Sequence, residues 1–65
     1  MKYEFIVHET TEGYTSWYEV GHWDQSAKWV SVCDTLWPHQ AKELVAHLNS
    51  GKPFEQWAEK TWPAS

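Results

Sequence analysis

The sequence predicts an α+β domain: a three-stranded antiparallel β-meander packed on one main α-helix, with a short C-terminal helical segment. Three observations predict this class. Residues 2–35 divide into three β-rich stretches separated by short turn sequences. Residues 38–49 carry an apolar stripe at helical spacing, and residues 53–65 form a last aromatic segment. At 65 residues the chain is expected to form a single small domain spanning 1–65.

Each predicted strand is bounded by turn chemistry. "KYEFIVHE" (2–9) is rich in β-formers, and the "TTEG" that follows contains Gly13, which can adopt positive φ. "YTSWYEVGHW" (14–23) predicts a second strand, within which Gly21 indicates a bulge or a close approach. "DQSA" then turns the chain into a third strand, "KWVSVCDT" (28–35). Because the turns are short, neighbouring strands are expected to pair antiparallel.

The main helix is predicted from Pro38 to Asn49. Proline suits the first helical turn, and Trp37 before it is restricted to an extended conformation. The run "NSGKP" carries the glycine and proline signals that end a helix. Between these limits, apolar residues recur at i, i+3, i+4 and i+7, which predicts one buried stripe: Ala41, Leu44, Val45 and Leu48.

The six tryptophans raise the question of which sheet face they occupy. Side chains alternate along a strand, and valines of strands two and three match the helix stripe in character. The face under the helix is therefore expected to hold Tyr18, Val20, Val30 and Val32. The opposite face would then hold Trp17, Trp29 and Trp23. For strand one, the pattern leaves open which of two sets turns toward that opposite face: Tyr3, Phe5 and Val7, or Glu4, Ile6 and His8.

Three arrangements would cover these tryptophans. The tail, with a short helix from about 53 to 60 and Phe54 and Trp57 on its apolar side, could fold over the second face. A homodimer could bury the same face, or a different protein could bind it, as exposed aromatic patches usually indicate. We expect some tryptophans to lie off the main core, with the tail as their cover.

Composition argues against several classes of function. Nine acidic residues outweigh five basic ones, all lysines, for a net charge of −4. Lacking the arginine that best reads guanine and pairs with phosphate, the chain is not expected to bind nucleic acid directly. No nucleophile motif, phosphate loop or paired-carboxylate spacing is present, so no enzymatic activity is expected. His39 and His47 are too far apart on the helix to share a metal, and no cofactor is expected.

The cysteine count and hydropathy bear on the compartment. Cys33 is the only cysteine, so no intrachain disulfide is possible, which fits a reducing environment. Nothing near the N-terminus resembles a signal peptide, and no stretch approaches the ~20 apolar residues of a membrane span. A cytoplasmic protein without a membrane partner is expected.

The run "SWYEV…KWVSVCDT…QAKELVAHLNSGKP", within residues 16–53, resembles short accessory proteins of phages and mobile elements, among them the anti-CRISPRs. The resemblance is one of size and architecture, and it implies a small acidic inhibitor that blocks a host complex sterically or mimics nucleic-acid charge. The same architecture is similar to DNA-binding domains of the AP2 and integrase-arm type. Those domains present arginine and lysine on the open sheet face, where this chain has Trp17, Glu19 and Trp29, so DNA binding is not implied.

We therefore expect a non-enzymatic protein-binding module, an inhibitor of a host protein or ribonucleoprotein complex in the host cytoplasm. Aromatic anchors would supply burial at such an interface, and glutamate would steer the chain toward a basic surface. The alternative is a structural homo-oligomer that buries its aromatic face, with nucleic-acid binding ranked third. The expected contact residues are Trp17, Glu19, Trp29 and Trp57.

Overall fold

A computed structural model describes residues 2–10, 12–13 and 15–62. It confirms the α+β class, with strands in the order β1-β2-β3 and both neighbouring pairs antiparallel. Thr11, Tyr14 and residues 63–65, which fall in the predicted first turn, second strand and tail, lie outside the described residues. The elements are β1 (Tyr3–Glu9), β2 (Ser16–Trp23), β3 (Trp29–Thr35), α1 (Pro38–Asn49) and α2 (Phe54–Thr61).

The turn between β2 and β3 is built around the side chain of Asp24. Its Oδ1 accepts hydrogen bonds from the backbone N–H groups of Ser26 and Lys28, at 2.8 and 2.9 Å. Short aspartate side chains commonly replace backbone acceptors in this way. The turn closes through Ala27, which adopts a positive φ of 61°. In the first turn Gly13 has a φ of 72°, as its sequence position predicted.

A bulge interrupts the pairing of β2 with β3. Val20 pairs with Cys33 whereas Gly21 pairs with Ser31, so Val32 is the extra residue. Gly21 also permits a close approach, because a Cβ built on it would lie 2.2 Å from the Val30 carbonyl oxygen. Both interpretations of this glycine are therefore confirmed.

Helix α1 has the predicted limits. Trp37 is extended (φ −120°, ψ 139°), and Pro38 is the first residue of the helix. The N–H groups of the first helical turn have no intrahelical acceptor, so the N–H that proline lacks costs no hydrogen bond there. At the other end Gly51 has a φ of 88°. Its N–H bonds to the Leu48 carbonyl and that of Lys52 to the His47 carbonyl, a Schellman arrangement with N···O distances of 3.0 and 3.4 Å.

The last residue of α1 also ties the helix to the edge of the sheet. The Tyr3 N–H donates to Asn49 Oδ1 at 2.7 Å, and Asn49 Nδ2 donates to the Tyr3 carbonyl at 3.1 Å. One side-chain amide thus supplies both hydrogen bonds that a neighbouring strand would otherwise make at this position of β1. This contact blocks the start of the β1 edge against further strand pairing.

The core lies between α1 and one face of the sheet. Its flanks include Tyr18, Val32 and Cys33. The expectation that Val30 lies under the helix is wrong, since Val30 is 38% exposed. The bulge turns Val32 and Cys33 both toward the core, and Val30 lies beyond it near the hairpin end of the sheet. The buried apolar residues are Val20, Ala41, Leu44, Leu48 and Trp57.

Helix α2 packs against α1 on the helix side of the sheet. Trp57 is only 3% exposed and joins the core cluster, with Phe54 and Ala58 packed against it. The expectation that the tail covers the second sheet face is therefore wrong for the described part of α2. A thin core gains more apolar burial from one indole than from any other side chain, which accounts for this placement.

Candidate functional site

The sheet face opposite α1 is covered by no other element of the described chain, and we call it the open face. Strand pairing settles which residues of β1 belong to it: His8 lies opposite Trp17, and Ile6 opposite Glu19. Across the other pair, Glu19 lies opposite Asp34 and Trp23 opposite Trp29. The open face is therefore formed by Glu4, Ile6, His8, Trp17, Glu19, Trp23, Trp29, Ser31 and Asp34.

The carboxylate of Glu19 is the centre of a hydrogen-bond network on this face. Trp29 Nε1 donates to Oε2 at 2.9 Å, and His8 Nε2 donates to Oε1 at 2.8 Å. These donors leave the Glu19 side chain 20% exposed. Hydrogen bonds from Trp29, then from Ser31 and His8, hold the pKa of Glu19 below its ordinary value, because they stabilise the ionised form. The open face thus carries a fixed negative charge.

Two aromatic pairs flank this carboxylate. The rings of His8 and Trp17 stack, with centroids 5.1 Å apart and planes 13° apart. Trp23 and Trp29 meet edge to face at 5.2 Å, a favoured aromatic geometry. Trp23 remains 51% exposed, although its Nε1 donates to Glu4 Oε1 at 3.3 Å. The open face therefore presents large rings that side-chain contacts hold in place.

The ring of Trp29 lies over Gly21. A Cβ at Gly21 would meet the Trp29 ring at Cζ2, 2.9 Å away. The glycine therefore lets the indole approach the β2 backbone with its N–H on Glu19. The folded sheet therefore fixes the orientation of the Trp29 side chain. Because this side chain is already ordered, it loses little conformational entropy when a partner binds.

Three of the four sequence-predicted contact residues come together on the open face: Trp17, Glu19 and Trp29. The fourth, Trp57, lies in the core instead, because α2 packs against α1 and carries this indole into the core cluster. This placement removes Trp57 from the accessible surface. A partner could contact its side chain only if α2 first left α1.

The sequence could not assign the other members of the open face, although Glu4, Ile6 and His8 were one of the two alternatives for β1. Glu4 and His8 follow from strand alternation only once the β1–β2 register is known, since a shift of one residue reverses the face. Alternation alone would put Asp34 on the same face as the other even-numbered residues of β3. The bulge reverses the alternation and brings Asp34 opposite Glu19. Gly21 is the sequence signal that could have indicated this reversal.

Two further exposed tryptophans lie elsewhere. Trp37 is 58% exposed between β3 and α1, where it lines a shallow groove with Tyr18. Trp62 is 48% exposed and meets the edge of Trp57 at 5.0 Å, on the helix side. Neither belongs to the open face, so both provide matched controls for it.

The described residues do not assemble a metal site, since no three of their His, Cys, Asp or Glu side chains are suitably grouped. Cys33 is a free thiol. Burial, and then the nearby Asp34 charge, raises the pKa of this thiol, which keeps it protonated and weakly nucleophilic. Within the described chain, no helix has the length and apolar character that crossing a membrane requires.

Comparison with protein-family models, curated proteins and solved structures produced no match to this chain.

Proposed function

We propose that the chain is a non-enzymatic protein-binding module whose open face docks on a basic protein surface. The observation that carries the proposal is the juxtaposition of Trp17, Trp23 and Trp29 with an ionised glutamate on an uncovered sheet face. Tryptophan is enriched among the residues that dominate interface energetics. Exposed aromatic surface of this kind on a small domain usually serves interaction.

The charge on the open face favours a different protein over a second copy. The described strand positions on this face hold the acidic residues Glu4, Glu19 and Asp34, while all five lysines lie outside the strands. A two-fold interface places the same patch on both subunits. Burying this face against itself would therefore bring carboxylates together, whereas a basic partner would neutralise them.

The sequence resemblance supports the same class of function. The resemblance implies an inhibitor that acts in the host cytoplasm. Such an inhibitor would occupy a nucleic-acid-binding surface of a host protein or ribonucleoprotein complex. Such a surface is basic because it must neutralise phosphates. Carboxylates on the open face would steer toward it, and the indoles would exclude water once docked.

The test compares tryptophans of equal size on different surfaces. Tagged wild-type chain and single Trp17→Ala, Trp23→Ala and Trp62→Ala variants are incubated with nuclease-treated host lysate, and captured proteins are identified and quantified by mass spectrometry. A central anchor is typically worth at least about 2 kcal/mol, or roughly a 30-fold loss of affinity. We expect the two open-face variants to lose the partner and Trp62→Ala to retain it.

Thermal unfolding of each variant separates lost contacts from lost fold. Trp23 is half exposed, so its replacement should leave the melting temperature within a few degrees of the wild type. A partner retained by the open-face variants but lost with Trp62→Ala would contradict the proposal. So would sedimentation as a dimer that Trp23→Ala dissociates, because the open face would then bind a second copy.

A further inference from the structure

Two carboxylates directly oppose each other on the open face. Glu19 and Asp34 are cross-strand partners in the β2–β3 register. Like charges directly opposite in a sheet are destabilising. The charge of Glu19 is stabilised by its three donors, whereas the Asp34 side chain has no hydrogen bond or ion pair with a described residue.

His8 is the ion-pair partner of Glu19, but among the described residues Asp34 has no such partner. Among the described residues, none of the lysines forms an ion pair with a carboxylate, and β1, β2 and β3 themselves contain no lysine. A sequence selected only for folding would gain from a neutral residue at position 34. Local conflicts of this kind concentrate at functional sites.

Aromatic rings lie on both sides of the carboxylate pair. Two residues before Glu19 is Trp17, whose ring stacks on His8. Two residues after it is Gly21, which the Trp29 ring covers. A guanidinium group hydrogen-bonds to carboxylates through its planar fork and also stacks on indole faces, so it matches both features. An ammonium group lacks the fork and would match less well.

We infer that the open face receives an arginine side chain of its partner at Glu19 and Asp34, between Trp17 and Trp29. The inference rests on the proposed function and adds the partner's recognised group. The guanidinium would neutralise the opposed carboxylates and lie against the indoles. Binding of the arginine would therefore also remove the repulsion between the Glu19 and Asp34 carboxylates.

The test uses small peptides, so that it does not depend on knowing the partner. Full-length chain labelled with ¹⁵N is titrated with acetyl-Gly-Gly-Arg-Gly-Gly-amide, with the lysine analogue, and with the citrulline analogue, which keeps the shape but not the charge. The Trp17 and Trp29 indole N–H resonances report binding. We expect both to move with the arginine peptide, less with lysine, and not with citrulline.

Asp34→Asn separates recognition from structure. Without peptide it should raise the melting temperature by roughly 2–6 °C, because it removes the cross-strand repulsion. It should also weaken arginine-peptide binding about tenfold, as loss of a charged hydrogen bond does. A structural role alone would not move stability and binding in opposite directions. Glu43→Gln, an exposed charge change on α1, is the matched control.

Indole resonances that do not move with arginine, that move equally with citrulline, or that behave alike in Asp34→Asn and wild type would overturn the inference. The proposed function would survive that outcome if Trp23→Ala still abolished capture of a protein partner. Arginine-peptide binding without any captured partner would do the reverse: it would support the site and contradict the proposed function.

Discussion

Replacement of Gly21 by alanine tests the packing that orients the open face. The added Cβ would lie 2.2 Å from the Val30 carbonyl oxygen and 2.9 Å from Cζ2 of Trp29. The first neighbour is backbone and belongs to the paired strand β3, so it can move only if the β2–β3 pairing opens. The second is the ring whose Nε1 donates to Glu19.

The expected cost follows from these distances. A carbon–oxygen contact is ordinarily about 3.3 Å or longer, so the strands must separate by about 1 Å. Overpacking of this kind typically costs 1–3 kcal/mol, and displacement of the indole would add about 1 kcal/mol for its hydrogen bond. We therefore expect a loss of about 3 kcal/mol. At about 4–8 °C per kcal/mol for a domain of this size, the melting temperature should fall by roughly 12–24 °C.

The assay is urea and thermal unfolding followed by far-ultraviolet circular dichroism. Gly13→Ala is the matched control, because a Cβ there meets nothing within 4 Å and only its φ of 72° is unfavourable. That conformation costs an alanine about 1–2 kcal/mol. A small core supplies only about 3–5 kcal/mol in all, so Gly21→Ala should be largely unfolded at 37 °C whereas Gly13→Ala should stay folded.

If Gly21→Ala destabilises the chain no more than Gly13→Ala, the reasoning is refuted. The close approach of β3 to Gly21 would then not hold in solution, and the orientation of Trp29 over the β2 backbone would lose its support. An unchanged indole N–H resonance of Trp29 in Gly21→Ala would refute the same argument.

Two further predictions concern the edge of the sheet and the central carboxylate. Asn49→Ala should lower stability by about 1–2 kcal/mol and speed hydrogen exchange at the Tyr3 amide, since two hydrogen bonds are lost. Asn49→Asp keeps the acceptor, but its second oxygen would face the Tyr3 carbonyl and its charge would lie at the C-terminus of α1, so it should cost at least as much. The pKa of Glu19 is lower in the folded chain than its ordinary value of 4.5, so its stabilising contribution is present above pH 4.5 and is lost as the pH falls through the folded pKa. Urea unfolding at pH 7 and at pH 3 should therefore show that Glu19→Gln costs more stability at pH 7 than at pH 3. A cost that stays the same at both pH values would contradict this, and Glu43→Gln, at an exposed position within α1, is the charge-matched control.

Helix α1 shows what could be predicted from local sequence. Pro38 sets its start, and the "NSGKP" run supplies Gly51 for the positive φ that ends it. These signals act through the backbone of neighbouring residues, so their effect on the helix limits does not depend on tertiary contacts. The three strands and the tail helix were predictable to within a residue or two for the same reason.

The candidate site could be predicted only in part. Alternation along β2 placed Trp17 and Glu19 together, and the valine content of β3 put Trp29 beside them. Which residues of β1 join them depends on the β1–β2 register, and the presence of Asp34 depends on the bulge. Both are properties of paired strands, and a one-residue shift in either would exchange the faces.

By itself, the sequence determined the number, order and limits of the elements, because propensity, capping and periodicity are local. Tertiary structure decided which aromatic residues became core and which remained on the surface. Trp57 lies on the apolar side of a helix and Trp23 on one face of a strand, yet one is 3% exposed and the other 51%. The difference arises because α2 packs beside α1, where one indole completes a thin core, and leaves the opposite sheet face uncovered.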